Sequence, residues 1–395
     1  MTYDLYVELG GESQGDVNAL VNGQHRGYQI PSIAARIQLL AGIAARNEDV
    51  KEYVVIGDRK RGGGGYKSLV HMQGDPQNTP YARELITLAL DQMKKLGLTK
   101  DTSNMTLLPP GSWFLQFTFT LAKPWISKDD DPFYVTESVN PVRKDKVFKV
   151  PVMAASSWKG LLRWTAMRIR LAKPVIPSEA KQSAEAFAKE RFVQTLLFGD
   201  EQGEEPGQVK GFAKYVDSLN KAHQEYERLL RRYFGVKDDE PLPHHSGRLF
   251  FYPTFFDGID VEVINPHSRK TRAGRQPIYL ECVPIGATGA FSLLYVPFDL
   301  IGQPKAIIRQ QAARDLQIVA EGLQAMFLNY GFSAKRTSGF GVAEANLEDG
   351  KLWMNIPDPS STPSQPAPPA PREFDSFAKL HEMAETLSKE HGGAQ

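Results

Sequence analysis

The chain has 395 residues, enough for one large domain or two ordinary ones, each with a real core. Its hydrophobic share of 41% and charged share of 24% are those of a soluble globular protein. A formal net charge of +1 excludes a global pull toward nucleic acid, so any such binding must come from local cation clusters.

The single cysteine, Cys282, lies in an apolar, strand-like run and reads as a small buried side chain. One cysteine rules out a disulfide within the chain and a cysteine-based zinc site, and it fits a reducing, cytoplasmic setting. No run of about 18 apolar residues occurs, and the first residues lack a basic stretch followed by an apolar one. Neither a membrane span nor a signal peptide is expected.

Residues 1–111 read as an N-terminal extension. Residues 5–9 are a possible strand. A helix is expected over 31–46, with Ile33, Ile37, Leu40 and Ile43 on one face. A short apolar run at 53–56 leads into a loop that carries Arg59, Lys60 and Arg61, four consecutive glycines and Tyr66. Four glycines hold no fixed structure alone, so this loop is either a flexible surface loop or one shaped along a phosphodiester by a partner. It lacks the Gly-Lys-Ser/Thr ending of a nucleotide-binding loop. Another helix is expected over 81–95, built on Leu85, Leu88, Leu90 and Met93.

Residues 112–173 open the main domain. The run 112–121 alternates with period two and is rich in aromatic and β-branched side chains, the clearest strand signal in the chain. A long loop follows with Asp129, Asp130, Asp131 and Glu137, then Asn140-Pro141-Val142 and the cations Arg143 and Lys144. Next come an extended lead-in, a small-residue turn and a basic helix over 150–170, with Lys159, Arg163, Arg168 and Arg170 on and beside its apolar face. Ser156 or Ser157 is placed to cap that helix, and a capped start with nearby cations suits a phosphate. The plain alternative is a solvated basic helix.

Residues 174–247 are polar and helical and read as an insertion, with helices expected over 184–198 and 211–234 and an acidic loop at 200–206 between them. Residues 248–356 resume the domain. Strands are expected at 248–253 and 260–264, then a basic loop with Arg269, Lys270 and Arg272, then 278–284 and 290–296 as a strand pair. A strong amphipathic helix over 304–330 ends at Gly331. The loop Lys335-Arg336-Thr337-Ser338-Gly339-Phe340-Gly341 leads to a closing strand over 343–356. Residues 357–372 form a Pro-rich linker that packs no core, and 373–395 a C-terminal helix that docks elsewhere or trails.

Catalytic spacing is sparse. The eight histidines form no metal-ligand spacing, His244, His245 and His267 included, and neither a nucleophile elbow nor a dinucleotide loop is present. No cofactor and no metal site are expected.

Two segments carry a resemblance. Ser156-Ser157-x-Lys159-Gly160-x-x-Arg163 resembles the G-S-S-x-K-G-x-x-R signature of the RAMP superfamily, the RNA-binding backbone subunits of CRISPR effector complexes; Ala154-Ala155 stands where Pro-Gly is usual. The run 335–341 resembles the glycine-rich C-terminal loop of the same proteins. The resemblance spans about residues 112–356. It implies an α+β fold with a ferredoxin-like (RRM-like) core, interrupted by the insertion. It implies a crRNA- and target-RNA-binding subunit of a type III CRISPR ribonucleoprotein, assembled with other effector subunits. The RNA-binding candidates are then Ser156, Ser157, Lys159, Arg163, Lys335, Arg336, Thr337, Ser338, Gly339 and Gly341, with the loop cations Arg59, Lys60, Arg61, Arg143, Lys144, Arg269, Lys270 and Arg272. Trp125, Phe133 and Phe148 are candidates to stack on a partner strand. In RNA-cleaving relatives an aspartate precedes the Asn-Pro-Val-like run; here it is Val139, which holds no metal, so a non-cutting subunit is implied. Two alternatives stay open: a metal-dependent nuclease using Asp129, Asp131 and Glu137, and a protein-binding scaffold whose basic loops are incidental.

Overall fold

The computed structural model describes residues 11–56, 65–71, 79–98, 105–127, 139–172, 183–201, 204–205, 208–209, 211–266, 274, 277–355 and 370–392. The expected strand at 5–9 lies outside them. Four helices open the described chain: α1 (Gln14–Val21), α2 (Ile33–Arg46), α3 (Glu48–Ile56) and α4 (Gly65–Val70). Ser13 caps α1 in a reciprocal pair with Asp16, and Ser32 caps α2 by accepting from the Ala35 N–H. The apolar run at 53–56 is the end of α3, with Val54 and Val55 buried. A π turn, Ala82–Ile86, leads into α5 (Thr87–Lys95).

Strand β1 (Trp113–Leu121) is followed by the short β2 (Val139–Asn140) and β3 (Val152–Met153), then helix α6 (Ala155–Arg170). The insertion holds α7 (Ala184–Phe198), α8 (Gly211–Leu219) and α9 (His223–Phe234). The single helix expected over 211–234 is therefore two, because Ala222 takes a non-helical conformation and buries its side chain at the start of α9. Strands β4 (Leu249–Phe251), β5 (Thr254–Phe255), β6 (Asp260–Ile264), β7 (Ile278–Cys282) and β8 (Thr288–Tyr295) precede the long helix α10 (Lys305–Ala325). The chain closes with β9 (Ala343–Met354), β10 (Arg372–Ser376) and α11 (Phe377–Gly392).

The main sheet runs β10-β9-β1-β8-β4, antiparallel at every pairing. Apart from the added edge strand β10, the chain visits this sheet in β-α-β-β-α-β order, with α6 after the first strand and α10 after the third. The architecture is mixed α and β, as expected. A second sheet runs β6-β7-β2. The strand pair expected from 278–284 and 290–296 does not form: β7 joins β6 and β2, while β8 joins β1 and β4. Alternation marks both segments as strands but carries no information about the partner.

Period two explains the central strand. Trp113, Leu115, Phe117, Phe119 and Leu121 enter the core, while Gln116, Thr118 and Thr120 remain half-exposed on the other face. Helices α6, α10 and α11 contribute Trp158, Leu162, Leu316, Leu323, Phe377 and Leu380 to that same core. Phe327, in the π turn Met326–Tyr330 that ends α10, lies fully buried against Phe119 at 4.9 Å, Trp158 at 5.3 Å and Phe377 at 5.0 Å. Helices α6 and α10 approach so closely that a Cβ on Gly322 would stand 2.9 Å from Leu162 Cδ1.

The C-terminus is part of this core. Phe374, Phe377, Leu380, Ala384 and Leu387 are buried, and β10 pairs with β9, so the segment neither trails nor begins its helix at 373. The insertion packs on the far side of α6, where Met167 and Leu171 join Phe187, Val216, Tyr226 and Leu230. Arg170 locks the junction, reaching Glu190 of α7 at 2.5 Å and Glu321 of α10 at 2.6 Å.

Replacing Phe327 by Ala leaves a cavity that touches β1, α6 and α11 at once. The expected cost is about 3–5 kcal/mol of folding stability in denaturant titration, the upper range for a buried phenylalanine.

Candidate nucleic-acid interface

Helix α6 is held by its apolar face. Trp158, Leu162, Ala166 and Met167 are buried, and the Trp158 indole donates to Thr254 Oγ1 at 3.0 Å. The opposite side presents Ser156, Lys159, Gly160 and Arg163. Neither serine caps the helix: Ala154 is the N-cap residue and makes no side-chain bond, so both serines sit inside the first turn, Ser156 exposed and Ser157 half-buried. The hydroxyl of Ser156 is thereby left facing outward.

Lys159 makes no hydrogen bond or ion pair among the described residues. Burial lowers its ammonium pKa, Arg163 beside it adds to the lowering, and Asp200 opposes it. Arg163 is engaged: it donates to the carbonyls of Asp200 at 2.7 Å and Gly199 at 3.1 Å and lies over the Phe212 ring at 5.1 Å. Its guanidinium ties the insertion to α6.

The glycine loop is built into the core at both ends. Phe332 is buried among Phe119, Trp158 and Phe327, and its N–H donates to Gly341 O at 2.8 Å. Ser333 Oγ accepts from Ile126 N at 2.7 Å, and Gly341 N donates to Pro124 O at 2.8 Å. Gly341 has φ of +68°, and a Cβ there would lie 2.4 Å from Ser333 Cβ, so only glycine closes this loop. Phe340 packs on Ile126, Leu280 and Cys282, which is how the second sheet supports the loop. Lys335, Thr337, Ser338 and Gly339 are left exposed on a short turn between these anchors.

The two motifs meet through a contact that sequence reasoning missed. The Arg336 guanidinium lies 4.4 Å from the centroid of the Trp164 ring of α6, and Trp164 meets Tyr330 edge-on at 5.2 Å. Burial lowers the pKa of Arg336, and its Nη1 is buried with no hydrogen-bond partner among the described residues. Trp164 was visible in the sequence only as an apolar helix position, and nothing there linked it to a residue 172 positions later.

Other candidates fall elsewhere. Arg143 is exposed. Lys144 is not a surface cation: its ammonium is buried against Glu281, which also accepts from Tyr66 OH at 2.7 Å, lies 3.0 Å from His71 Nε2 and accepts from Val142 N at 3.3 Å. Burial pushes the Glu281 carboxyl up, but Lys144 and His71 outweigh it and hold it far below the usual carboxylate range. This buried group joins α4, the stretch after β2, and β7. Trp125 is buried against Phe256 at 4.9 Å, its indole donating to Phe332 O at 3.1 Å, so it is a core residue and no stacking platform. Phe148 is half-buried against the main core. Arg59, Lys60, Arg61, Asp129, Asp131, Phe133, Glu137, Arg269, Lys270 and Arg272 lie outside the described residues. Among the described residues no group of His, Cys, Asp and Glu is arranged to hold a metal ion, and no helix is long and apolar enough to cross a membrane.

The fold is a sheet backed by two helices, with the basic α6 and a glycine loop brought together at one surface. The family model of the RAMP superfamily matches residues 62–344, more than two thirds of the chain, and the chain belongs to that superfamily. Among solved structures it is similar to a chain in the cryo-EM structure of the Type III-B Cmr-beta bound to cognate target RNA, at 13% identity and a TM-score of 0.37, covering 81% of this chain and 92% of that one. It is also similar to a chain of a Type IV-B CRISPR complex, at 11% identity and a TM-score of 0.34, over 65% of this chain and 95% of that one. A chain of the Csm3-Csm4 subcomplex of the type III-A CRISPR-Cas interference complex matches at 12% identity and a TM-score of 0.31, over 70% of this chain and 95% of that one. No curated protein matches the sequence.

Glu281→Gln removes the charge that Lys144 and His71 face, and the expected loss is about 3–5 kcal/mol of stability at neutral pH. The folded carboxyl titrates below the usual carboxylate range, so its contribution is present above that range and lost as the pH falls below it. Acid titration of wild type and variant checks this: their stabilities should converge on acidification.

Proposed function

We propose that this protein is an RNA-binding subunit of a CRISPR ribonucleoprotein of the type III kind, holding the guide RNA by its sugar-phosphate backbone. Membership of the RAMP superfamily supports the reading. The observation that carries it is an exposed glycine in α6 beside a lysine that makes no hydrogen bond or ion pair among the described residues. Gly160 lies exposed in the middle of α6, where glycine costs about 1 kcal/mol relative to alanine, and a Cβ there would meet nothing within 4 Å. Gly339 is also open, on a backbone whose φ of +82° calls for glycine. Among the described residues Lys159 lacks a hydrogen-bond partner beside the first glycine, and Arg336 Nη1 lacks one near the second. Bare backbone next to unspent cations suits a phosphodiester that approaches the main chain closely.

Lys159, Ser156, Arg336 and the exposed turn 335–339 are the contacting groups. Arg163 positions the insertion and leaves the direct contacts to its neighbours. Cations and hydroxyls bind phosphate without reading bases, as a guide holder requires, since pairing carries the sequence information. Target RNA and other effector subunits are the remaining partners. Val139 at the position of the cutting aspartate argues for a subunit that does not cleave.

Gly160→Ala should raise thermal stability while weakening RNA binding, a pair of opposite signs that a purely structural glycine would not give. Lys159→Ala and Arg336→Ala should each weaken binding evenly across guide sequences and reduce the salt slope of log K by about 1. The experiment is RNA titration of the full chain and these variants over a series of salt concentrations. A sequence-dependent loss, or wild-type binding with no salt dependence, would overturn the reading.

A further inference from the structure

Most side chains facing the α6 surface are hydrogen-bond donors or hydroxyls: Ser156, Lys159 and, across Trp164, Arg336 with Thr337 and Ser338. Such groups bind phosphate equally well in RNA and DNA. One neighbouring group differs. Where the chain leaves α7, Asp200 comes beside α6: its carbonyl accepts from Arg163, and its carboxylate lies within electrostatic reach of Lys159, one turn before Arg163 on the same face. The segment returning from the insertion passes this point. Both Asp200 carboxylate oxygens accept from the His245 N–H at 3.0 Å, and Oδ2 lies 3.1 Å from His244 Nδ1.

A carboxylate offers only lone pairs, so the His244 proton on that side belongs to Nδ1. The lone pair of the neutral ring is then fixed on Nε2. The His244 side chain is fully exposed, so Nε2 faces solvent, on a ring held by a carboxylate that lies within electrostatic reach of Lys159. The Asp200 carboxylate itself is occupied by His244 and His245. His244 Nε2 is then an acceptor with no competing proton, carried on the carboxylate that Arg163 brings to this end of α6 through the Asp200 carbonyl.

We infer that His244, its tautomer set by Asp200, accepts a hydrogen bond from a ribose 2′-hydroxyl of the strand bound along α6 and so discriminates RNA from DNA. The 2′-hydroxyl is the donor that separates the two backbones. The inference rests on the backbone-binding reading and adds a specificity residue to it. Asp200 is a positioning residue that acts through the imidazole.

The test is fluorescence titration of the full chain with a labelled 20-nucleotide RNA and the same sequence as DNA, with deoxyuridine in place of thymidine, at pH 7.5. Wild type should favour RNA by about three- to tenfold, the range of one net hydrogen bond. His244→Ala should bring the RNA/DNA ratio to about one, with thermal stability unchanged, because the side chain is solvated. His244→Gln, which retains an acceptor, should recover part of the ratio. Asp200→Asn should lower the ratio at pH 7.5 without abolishing DNA binding. Wild type that binds both strands equally, or His244→Ala that keeps the RNA preference, would overturn the inference and leave backbone binding intact. Failure to bind either strand would overturn the backbone-binding reading itself, and the inference with it.

Discussion

The ring of Phe327 is where the parts of this protein are made to agree. It lies against Phe117, Phe119 and Phe291 of the central strands, Trp158 of α6, Phe332 at the start of the glycine loop, and Phe377 of α11. Edge-to-face and stacked aromatic contacts have preferred geometries as well as large buried areas, so a knot of this kind sets orientation along with proximity. Helix α6 and the glycine loop are both anchored to it, through Trp158 and Phe332. Their outer surfaces are therefore held in a constant relation, which a backbone-binding surface needs if it is to be pre-organised.

Charge is organised on the same logic. Arginines and lysines inside the protein are saturated: Arg191 by Glu201 and Asp217, Arg248 by Asp299 and Asp315, Lys144 by Glu281. Each such group joins segments far apart in the chain, and a buried charge is tolerable only when paired in this way. Arg248 illustrates the cost-sharing. Its guanidinium bridges Asp315 of α10 and Asp299, while Tyr233 from the insertion donates to Asp299 and Tyr295 donates to Asp315 at 2.7 Å. Lys159 and one nitrogen of Arg336 fall outside this pattern among the described residues, as does Nε of Arg168 on α6.

The insertion has a part in that surface as well as in the core. Its apolar side covers Met167 and Leu171 of α6, while Gly199, Asp200 and His244 come to the edge of the exposed face through the fork of Arg163. A basic signature arginine is thereby used as a clamp, and the Asp200 that it holds lies within electrostatic reach of the lysine one turn away. The same residue type at the same spacing would read as a phosphate ligand in any sequence analysis, because the acceptors that occupy it are main-chain carbonyls some forty positions downstream.

Local physics made much of the fold legible in the sequence. Alternation over 113–121 specifies a strand with one buried face whatever its neighbours, and the spacing of Ile308, Leu316, Val319 and Leu323 specifies one face of a long helix. The serine-lysine-glycine run of α6 and the glycine loop were visible for the same reason, as short motifs whose backbone needs are local. Partnership was not visible. Strands β7 and β8 alternate alike yet enter different sheets, the C-terminal segment that looks like a loose helix supplies an edge strand and a core helix, and Lys144 and Trp125 look like surface groups but are buried. Each of these depends on contacts between residues distant in sequence, whose energies appear only when the chain is closed on itself. The sequence by itself determined most of the segments that are helices and strands and where cations and glycines cluster; only the tertiary structure decided which of those cations are paired inside the protein and which stay at its surface, because that pairing depends on residues far apart in the chain.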